Sequence, residues 1–256
     1  MDSIRLEWLN YGKDWVLNAG EIIKIRLSEK ITINTKSHIN DLVTNIDREI
    51  EDFFKQKVSL IKDHRLLGEE GDFVNDSDGY IWILDPIDGT TNLVTTGRDF
   101  VISLALYHNG QPLFGIVYDV MRDELYHAIT GEGAYIKDKK IPQVNSDLLL
   151  DDQVIICDIK EIISYPRVVD LIQQSRGHRR YGSAALEIVH IAVGRAGAFI
   201  HMMVHPWDIA AAKIIAEECG LKYTRTDGTS VNVFEKGSSL VAPEKLHQQI
   251  VTICFS

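Results

Sequence analysis

The sequence predicts a layered α+β protein built in two halves. Three observations carry this. The first sixty residues repeat their apolar side chains at helical intervals. Residues 80–136 break into short apolar runs separated by tight turns. Beyond about residue 143, strand-like and helix-like segments alternate. At 256 residues and 45% hydrophobic composition the chain can bury a sizeable core, and it shows no low-complexity segment or short-period repeat.

Residues 3–27 place Ile4, Trp8, Tyr11, Trp15, Ala19, Ile22 and Ile23 along one helical stripe. Ser28–Asn40 is polar with few apolar anchors and reads as a loop or hairpin over the site. Thr44-Asn45-Ile46-Asp47 resembles a capping box, and Ile46, Ile50, Phe53, Phe54, Val58 and Ile61 line the helix behind it. Tyr80–Leu84 is a continuous apolar run, as a buried strand requires. Val101–Tyr107, Leu113–Val120, Leu125–Ile129 and Ala134–Ile136 follow as strands, divided by His108-Asn109-Gly110, Arg122-Asp123 and Gly131-Glu132-Gly133. Connections this short specify an antiparallel meander. In the second half the expected order is strand 154–157, helix 160–175, helix 183–194, strand 196–202 and helix 208–219 ending at Gly220. Strands near 221–224, 231–234 and 239–242 and a last short helix complete it. The halves divide at 143/144.

The net charge of −10 disfavours a nonspecific nucleic-acid binder. Cys157, Cys219 and Cys254 are odd in number and far apart, so neither a disulfide framework nor a zinc site is expected. No signal-peptide pattern or membrane-length apolar run is evident, and a cytoplasmic protein without a membrane partner is the expectation.

The chemistry concentrates in acidic residues. Asp47 alone would be read as a helix cap, Glu69-Glu70 as a solvated loop, and Asp208 as a cap before Ile209-Ala210-Ala211. Asp85 and Asp88 resist such a reading, because carboxylates at the end of a buried strand are costly unless paired or bound to metal. In Asp85-Pro86-Ile87-Asp88-Gly89-Thr90-Thr91-Asn92, Pro86 stiffens the turn and Gly89 lets an anion approach closely. Carboxylate and carbonyl oxygens suit a hard cation, and free N–H groups at a tight turn suit phosphate. The segment thus points to metal-assisted phosphate chemistry.

Taken with Trp207-Asp208-Ile209-Ala210-Ala211, Gly68-Glu69-Glu70, Asp41-Leu42-Val43-Thr44 with Asp47, and Tyr181-Gly182-Ser183-Ala184-Ala185, this segment resembles the inositol monophosphatase family of magnesium-dependent, lithium-sensitive phosphomonoesterases. The resemblance implies the sugar-phosphatase fold, a layered α/β/α/β/α sandwich with the site between residues 1–143 and 144–256, and a homodimer. It implies two or three Mg²⁺ per site. Glu69, Asp85 and the Ile87 carbonyl would hold the first; Asp85, Asp88 and Asp208 would hold the second; Glu69 and waters would help with a third. Thr90, bonded to Asp47, would activate the attacking water together with Glu69. The N–H groups of Gly89 and Thr90 would hold phosphate, and Asp88 and Asp208 would also touch the substrate, Asp208 near the ester oxygen. Gly182, Ser183, Ala184 and His201 would read the alcohol. Inositol-selective members carry a Glu where this chain has His201, so broader use of sugar or nucleotide phosphates is an open expectation.

Inositol 1-phosphate is the first candidate substrate. An NADP(H) or fructose-1,6-bisphosphate phosphatase is the alternative, and a non-catalytic RNA- or protein-binding regulator is the competitor from another class. Arg176, Arg179 and Arg180 read either as a solvated patch or as a site for a second phosphate. His201 and His205, four apart on an expected strand, would share a face, but no third ligand accompanies them for zinc. No Gly-x-Ser-x-Gly, Walker A or Gly-x-Gly-x-x-Gly pattern occurs.

Overall fold

A computed structural model of the protein describes residues 2–28, 33–35, 42–71 and 77–255. Helix α1 (Asp2–Leu27) is followed by strands β1 (Ile33–Thr35) and β2 (Leu42–Thr44), which pair antiparallel. The rest of the expected loop or hairpin over Ser28–Asn40 lies largely outside the described residues, as does Asp41. Helix α2 (Asn45–Ser59) begins directly after β2 with Asp47 in its first turn. The Thr44 side chain of the expected capping box is also outside the description.

A seven-stranded sheet comes next, in the order β3 (His64–Gly68), β4 (Tyr80–Asp88), β5 (Val101–His108), β6 (Gln111–Asp119), β7 (Glu124–Ile129), β8 (Gly133–Ile136) and β9 (Lys139–Lys140). From β4 onward every neighbour is antiparallel, the meander that the short turns specify, while β3 joins β4 in parallel. Helix α3 (Thr90–Thr95) sits between β4 and β5.

The second half forms a mixed five-stranded sheet, in the order β11-β10-β12-β14-β13. Its strands are β10 (Val154–Cys157), β11 (Gly177–Arg179), β12 (Ala198–Val204), β13 (Lys222–Thr224) and β14 (Gly237–Ala242). Its helices are α4 (Ile159–Ser164), α5 (Arg167–Gln174), α6 (Ala184–Ala192), α7 (Pro206–Glu218) and α8 (Glu244–Ile250). The single helix expected over 160–175 is two. Pro166 breaks it by driving Tyr165 out of the helical region, to φ −128° and ψ 88°. The strand expected near 231–234 is a turn. The Asn232 side chain accepts the Phe234 N–H at 3.1 Å, and Arg225 holds the carbonyls of Asn232 and Glu235.

Three apolar cores hold five layers together, the largest covering both faces of the middle helices. Trp82, Leu84, Ile102 and Leu104 face α1 and α2. Ile81, Ile83, Val101 and Ala105, from the opposite face of the same strands, pack on α6 and α7 together with Phe199 and Val241 of the second sheet. Ala198, Ile200, Leu240 and Ala242 face outward onto α5 and α8. The result is the α/β/α/β/α order. Since both faces of each sheet are buried, the strands read as continuous apolar runs and not as alternating ones. The three cysteines are buried and free. Among the described residues, no helix is long and apolar enough to cross a membrane.

Helix α7 lies close on the first sheet at Gly115, where an added Cβ would come within 2.5 Å of the Ala211 carbonyl oxygen. Gly115→Val is expected to force helix and sheet apart and to cost about 1–3 kcal/mol. Thermal denaturation reads this as a lowered Tm. An unchanged Tm would mean that the contact relaxes freely.

Candidate active site

The site is built first by the end of β4. Pro86 has no N–H to give the ladder, and pairing slips there by one residue: Asp85 lies opposite Ser103, but Asp88 lies opposite Val101. In a regular strand, residues three apart point to opposite faces. The extra residue brings both carboxylates to one side. Gly89 then turns the chain at φ 102°, a conformation that disfavours any side chain. A Cβ there would meet the Asp99 carbonyl at 3.1 Å and the Ser183 Cβ at 3.2 Å. Helix α3 starts at once, and Thr90 Oγ1 lies 3.0 Å from the Ile87 carbonyl and 3.4 Å from Asp47 Oδ1. One hydroxyl proton serves one of the two at a time.

The remaining acids are brought in by register and packing. Gly68 pairs with Leu84, so Glu69 leaves β3 beside Asp85. Asp208 lies in the first turn of α7, where its Oδ2 accepts the His205 N–H at 2.8 Å. That turn is tied to β5 by Ser103 and Tyr107, which donate to the carbonyls of Trp207 and Ala210 at 3.2 and 3.1 Å. Ser103 is the ladder partner of Asp85. The same contact that anchors α7 therefore sets Asp208 near Asp85.

Asp88 is held from the second half of the chain. Its Oδ2 accepts from Ser183 Oγ at 2.7 Å and from the Ala185 N–H at 2.6 Å, and its Oδ1 accepts from the Ala184 N–H at 3.2 Å. The start of α6 thus clamps this carboxylate, as a helix N-terminus favours.

Electrostatics confirm the convergence. Burial, then Asp208, Asp47, Glu70 and Asp88, push Glu69 up to about 8. Solvent still touches Glu69, but the walls of the cleft crowd out much of its hydration. Burial and then Asp208 push Asp88 up to about 7, against the hydrogen bonds from Ser183 and Ala185 that lower it. Asp85 is driven well above the usual carboxylate range by burial, Glu69, Asp88 and Asp208. Among the described residues no three of these groups close into a tight ligand cage. Mg²⁺ does not need one, since it keeps several waters and takes few carboxylates. The convergent donors are carboxylate and carbonyl oxygens, a set that fits a hard cation, with the His205 ring 3.6 Å behind Asp208 Oδ2.

The sequence profile of the inositol monophosphatase family matches residues 5–254. The chain belongs to the inositol monophosphatase family. It is 39% identical over 246 residues to the inositol-1-monophosphatase of Bacillus subtilis, covering 93% of this chain and 92% of that protein. A solved IMPase/NADP phosphatase complexed with Mg²⁺ and phosphate matches with a TM-score of 0.90 at 32% identity, covering 98% and 95% of the two chains. The Nus factor SuhB of Pasteurella multocida is 35% identical over 193 residues, 73% of this chain and 72% of that one. As an inositol monophosphatase family member the protein is a phosphoric monoester hydrolase.

Within this family frame the structure sorts the sequence candidates. Asp47, Glu69, Asp85, Ile87, Asp88, Gly89, Thr90 and Asp208 come together. Gly182, Ser183 and Ala184 meet them through Asp88. Ser183 is 1% exposed and gives its proton to Asp88. His201 lies against Glu161 (Nδ1 to Oε1, 3.8 Å) and Phe199. His201 and His205 do not share a strand face, because the β12–β14 register shifts between His201 and Val204 and His205 lies beyond β12, stacked on Trp207 at 5.0 Å. The three arginines are not one patch. Arg176 pairs with Asp152, Arg180 bridges Asp158 and Glu187, and Arg179 bonds the adjacent His178 carbonyl.

Sequence reasoning missed three residues that hold the site. Glu187 is 1% exposed and accepts the N–H groups of Tyr181 and Gly182 as well as Arg180, fixing the turn before Ser183. Asn92 spans the halves, donating to the carbonyls of Asp99 and Tyr181 at 2.7 and 2.6 Å. Glu51 lies under the Glu69 loop. For Glu187 the available signal was an acid inside the apolar run of α6; for Glu51 it was the four-residue spacing from Asp47.

Raised carboxylate pKa values make the metal-free fold hold more protons than the unfolded chain between the ordinary value of 4.5 and about 8 for Glu69. Stability then falls as pH rises through that window, because the unfolded state binds fewer protons. The Tm of the metal-free protein is expected to drop between pH 5 and pH 8 on the order of those values, and Mg²⁺ is expected to restore more at pH 8 than at pH 5. Calorimetry with and without Mg²⁺ checks this. An equal metal effect at both pH values would contradict it.

Proposed function

We propose that the protein is a Mg²⁺-dependent phosphomonoesterase with inositol 1-phosphate as its first candidate substrate. The carrying observation is the convergence of Glu69, Asp85, Asp88 and Asp208, all oxygen donors, beside the Gly89–Thr90 turn. Four carboxylates facing a phosphate would repel it, so the arrangement makes sense only with cations. Glu69, Asp85 and the Ile87 carbonyl would hold one Mg²⁺, and Asp85, Asp88 and Asp208 a second, with Glu69 contributing to a third. Bound there, Mg²⁺ supplies positive charge to phosphate oxygens and acidifies water.

The chain's own groups do the rest. The N–H groups of Gly89 and Thr90 receive phosphate oxygens, the anion geometry of a helix start. Glu69 and Thr90 orient the attacking water and take up its proton, with Asp47 as the acceptor behind Thr90. Attack is in line with the ester oxygen, beside Asp208, so that a proton can reach the departing alcohol. The Ala184 backbone borders the alcohol side. Residues 1–143 and 144–256 act as the two walls, the first supplying most ligands and the second Asp208 and the clamp on Asp88. The enzyme works as a cytoplasmic homodimer on small phosphorylated substrates.

One observation supports a second substrate reading. His201 Nδ1 accepts the Met203 N–H at 3.2 Å, so a neutral ring carries its proton on Nε2. The position then offers a donor, where a Glu would offer only acceptors. This favours leaving groups rich in acceptors, such as a nucleotide or a sugar phosphate, and thus an NADP(H) or fructose-1,6-bisphosphate phosphatase. A purely regulatory role like that named for the Nus factor relative is less well supported, because the full set of ligand oxygens is kept.

Asp88→Asn is expected to lower kcat by about 100-fold or more, the several kcal/mol that a ligand to a catalytic cation is worth. Phosphate release at saturating Mg²⁺ measures it, and wild-type turnover would end the metal reading. His201→Glu is expected to shift relative kcat/KM toward inositol 1-phosphate and away from NADP and fructose 1,6-bisphosphate. An unchanged ratio would remove His201 from specificity.

A further inference from the structure

Helix α2 carries a charged stripe on its inner side. Asp47, Glu51 and Lys55 recur at intervals of four, which stacks them along one face. Asp47 is 2% exposed and meets Thr90. Glu51, one turn later, is fully buried, an unusual place for a carboxylate without a task.

Its surroundings show the task. Glu51 Oε2 accepts the Glu70 N–H at 2.8 Å. Gly68 presses against the same carboxylate so closely that a Cβ there would come within 2.5 Å of Oε2, and one on Gly71 would stand 3.7 Å from Oε1. The Gly68-Glu69-Glu70-Gly71 turn is thus wrapped around the Glu51 carboxylate, with glycines where the approach is tightest. Lys55 Nζ, 2.7 Å from Oε1, balances the buried charge. A charge-assisted hydrogen bond of this kind fixes a loop more firmly than a neutral one.

We propose that Glu51 is a positioning residue for hydrolysis. It fixes the 68–71 turn so that Glu69 faces Asp85. Because Asp47 lies one turn away on the same rigid helix, it also sets Glu69 relative to the Asp47–Thr90 pair. One helix face therefore registers both groups that act on the attacking water. The inference rests on the reading of Glu69 as a metal-holding and water-activating residue.

Glu51→Gln tests it, measured beside Glu69→Gln for kcat, KM, half-saturating Mg²⁺ and Tm, with inositol 1-phosphate and NADP as the substrates assayed. Glu51→Gln is expected to lower kcat by about 10- to 100-fold and to raise the half-saturating Mg²⁺ concentration, the usual size of an outer-shell defect. KM at saturating Mg²⁺ is expected to stay within about twofold, since phosphate is held by other groups. Gly68→Ala should reproduce the defect by displacing the turn. Glu51→Ala combined with Gly68→Ala should be no worse than Glu51→Ala alone, because both act on one contact. A folded Glu51→Gln with wild-type kcat and Mg²⁺ dependence overturns the proposal. If Glu51→Gln fails to fold, Gly68→Ala decides: full activity overturns the proposal, and a lowered kcat with weakened Mg²⁺ response supports it. Wild-type turnover in Glu69→Gln would instead sink the reading of the site itself.

Discussion

Repulsion among crowded carboxylates, Asp85 and Asp88 of them buried, is the constraint on which this structure turns. After burial, Asp208 and Asp88 raise the proton affinity of Glu69, Glu69 and Asp88 raise that of Asp85, and Asp208 raises that of Asp88. Such a group is unfavourable in a fold that gains nothing from it. Much of the surrounding architecture holds these acids together against that repulsion. Asp88 is clamped by Ser183, Ala184 and Ala185, the Glu69 turn by Glu51, and the Asp208 turn by Ser103 and Tyr107.

These clamps come from different layers. The seven-stranded sheet supplies Asp85 and Asp88 at a bulge, α2 supplies Asp47 and Glu51, and the starts of α6 and α7 approach from the layer between the sheets. The middle helical layer is therefore more than a spacer. Its packing on the first sheet, with Gly115 admitting α7 closely, carries the second half's contribution to the site. Asn92 ties the helix after β4 to the turn before α6, and Glu187 fixes that turn from within α6.

Legibility followed the range of the interaction concerned. The meander was readable because each turn and each apolar run is a local feature, and β5 to β8 appear where the turns place them. The break at Pro166 was equally local but was passed over in favour of a continuous helical period. The segment 231–234 had apolar content suited to a strand, yet Asn232 and Arg225 turn it and bury Val233 and Phe234 without a ladder. His201 and His205 shared a face only on the assumption of regular pleat, and the register shift after His201 removed it. Arg180 read either as solvated or as facing a phosphate, and it pairs with Asp158 and with Glu187, seven residues onward in a helix.

By itself the sequence determined the reaction chemistry. A carboxylate, a proline, a second carboxylate, a glycine and a hydroxyl in one short run dictate a bulge, a left-handed turn and a helix start, and these are local consequences of backbone sterics and oxygen chemistry. Tertiary structure alone decided the rest: that Ser183 bonds Asp88, that Glu51 accepts the Glu70 N–H, and that the Met203 N–H reaches His201 Nδ1. Each of these depends on which distant backbone group reaches a side chain's lone pair or proton. That is fixed by sheet register and helix packing, and no spacing along the chain encodes it directly.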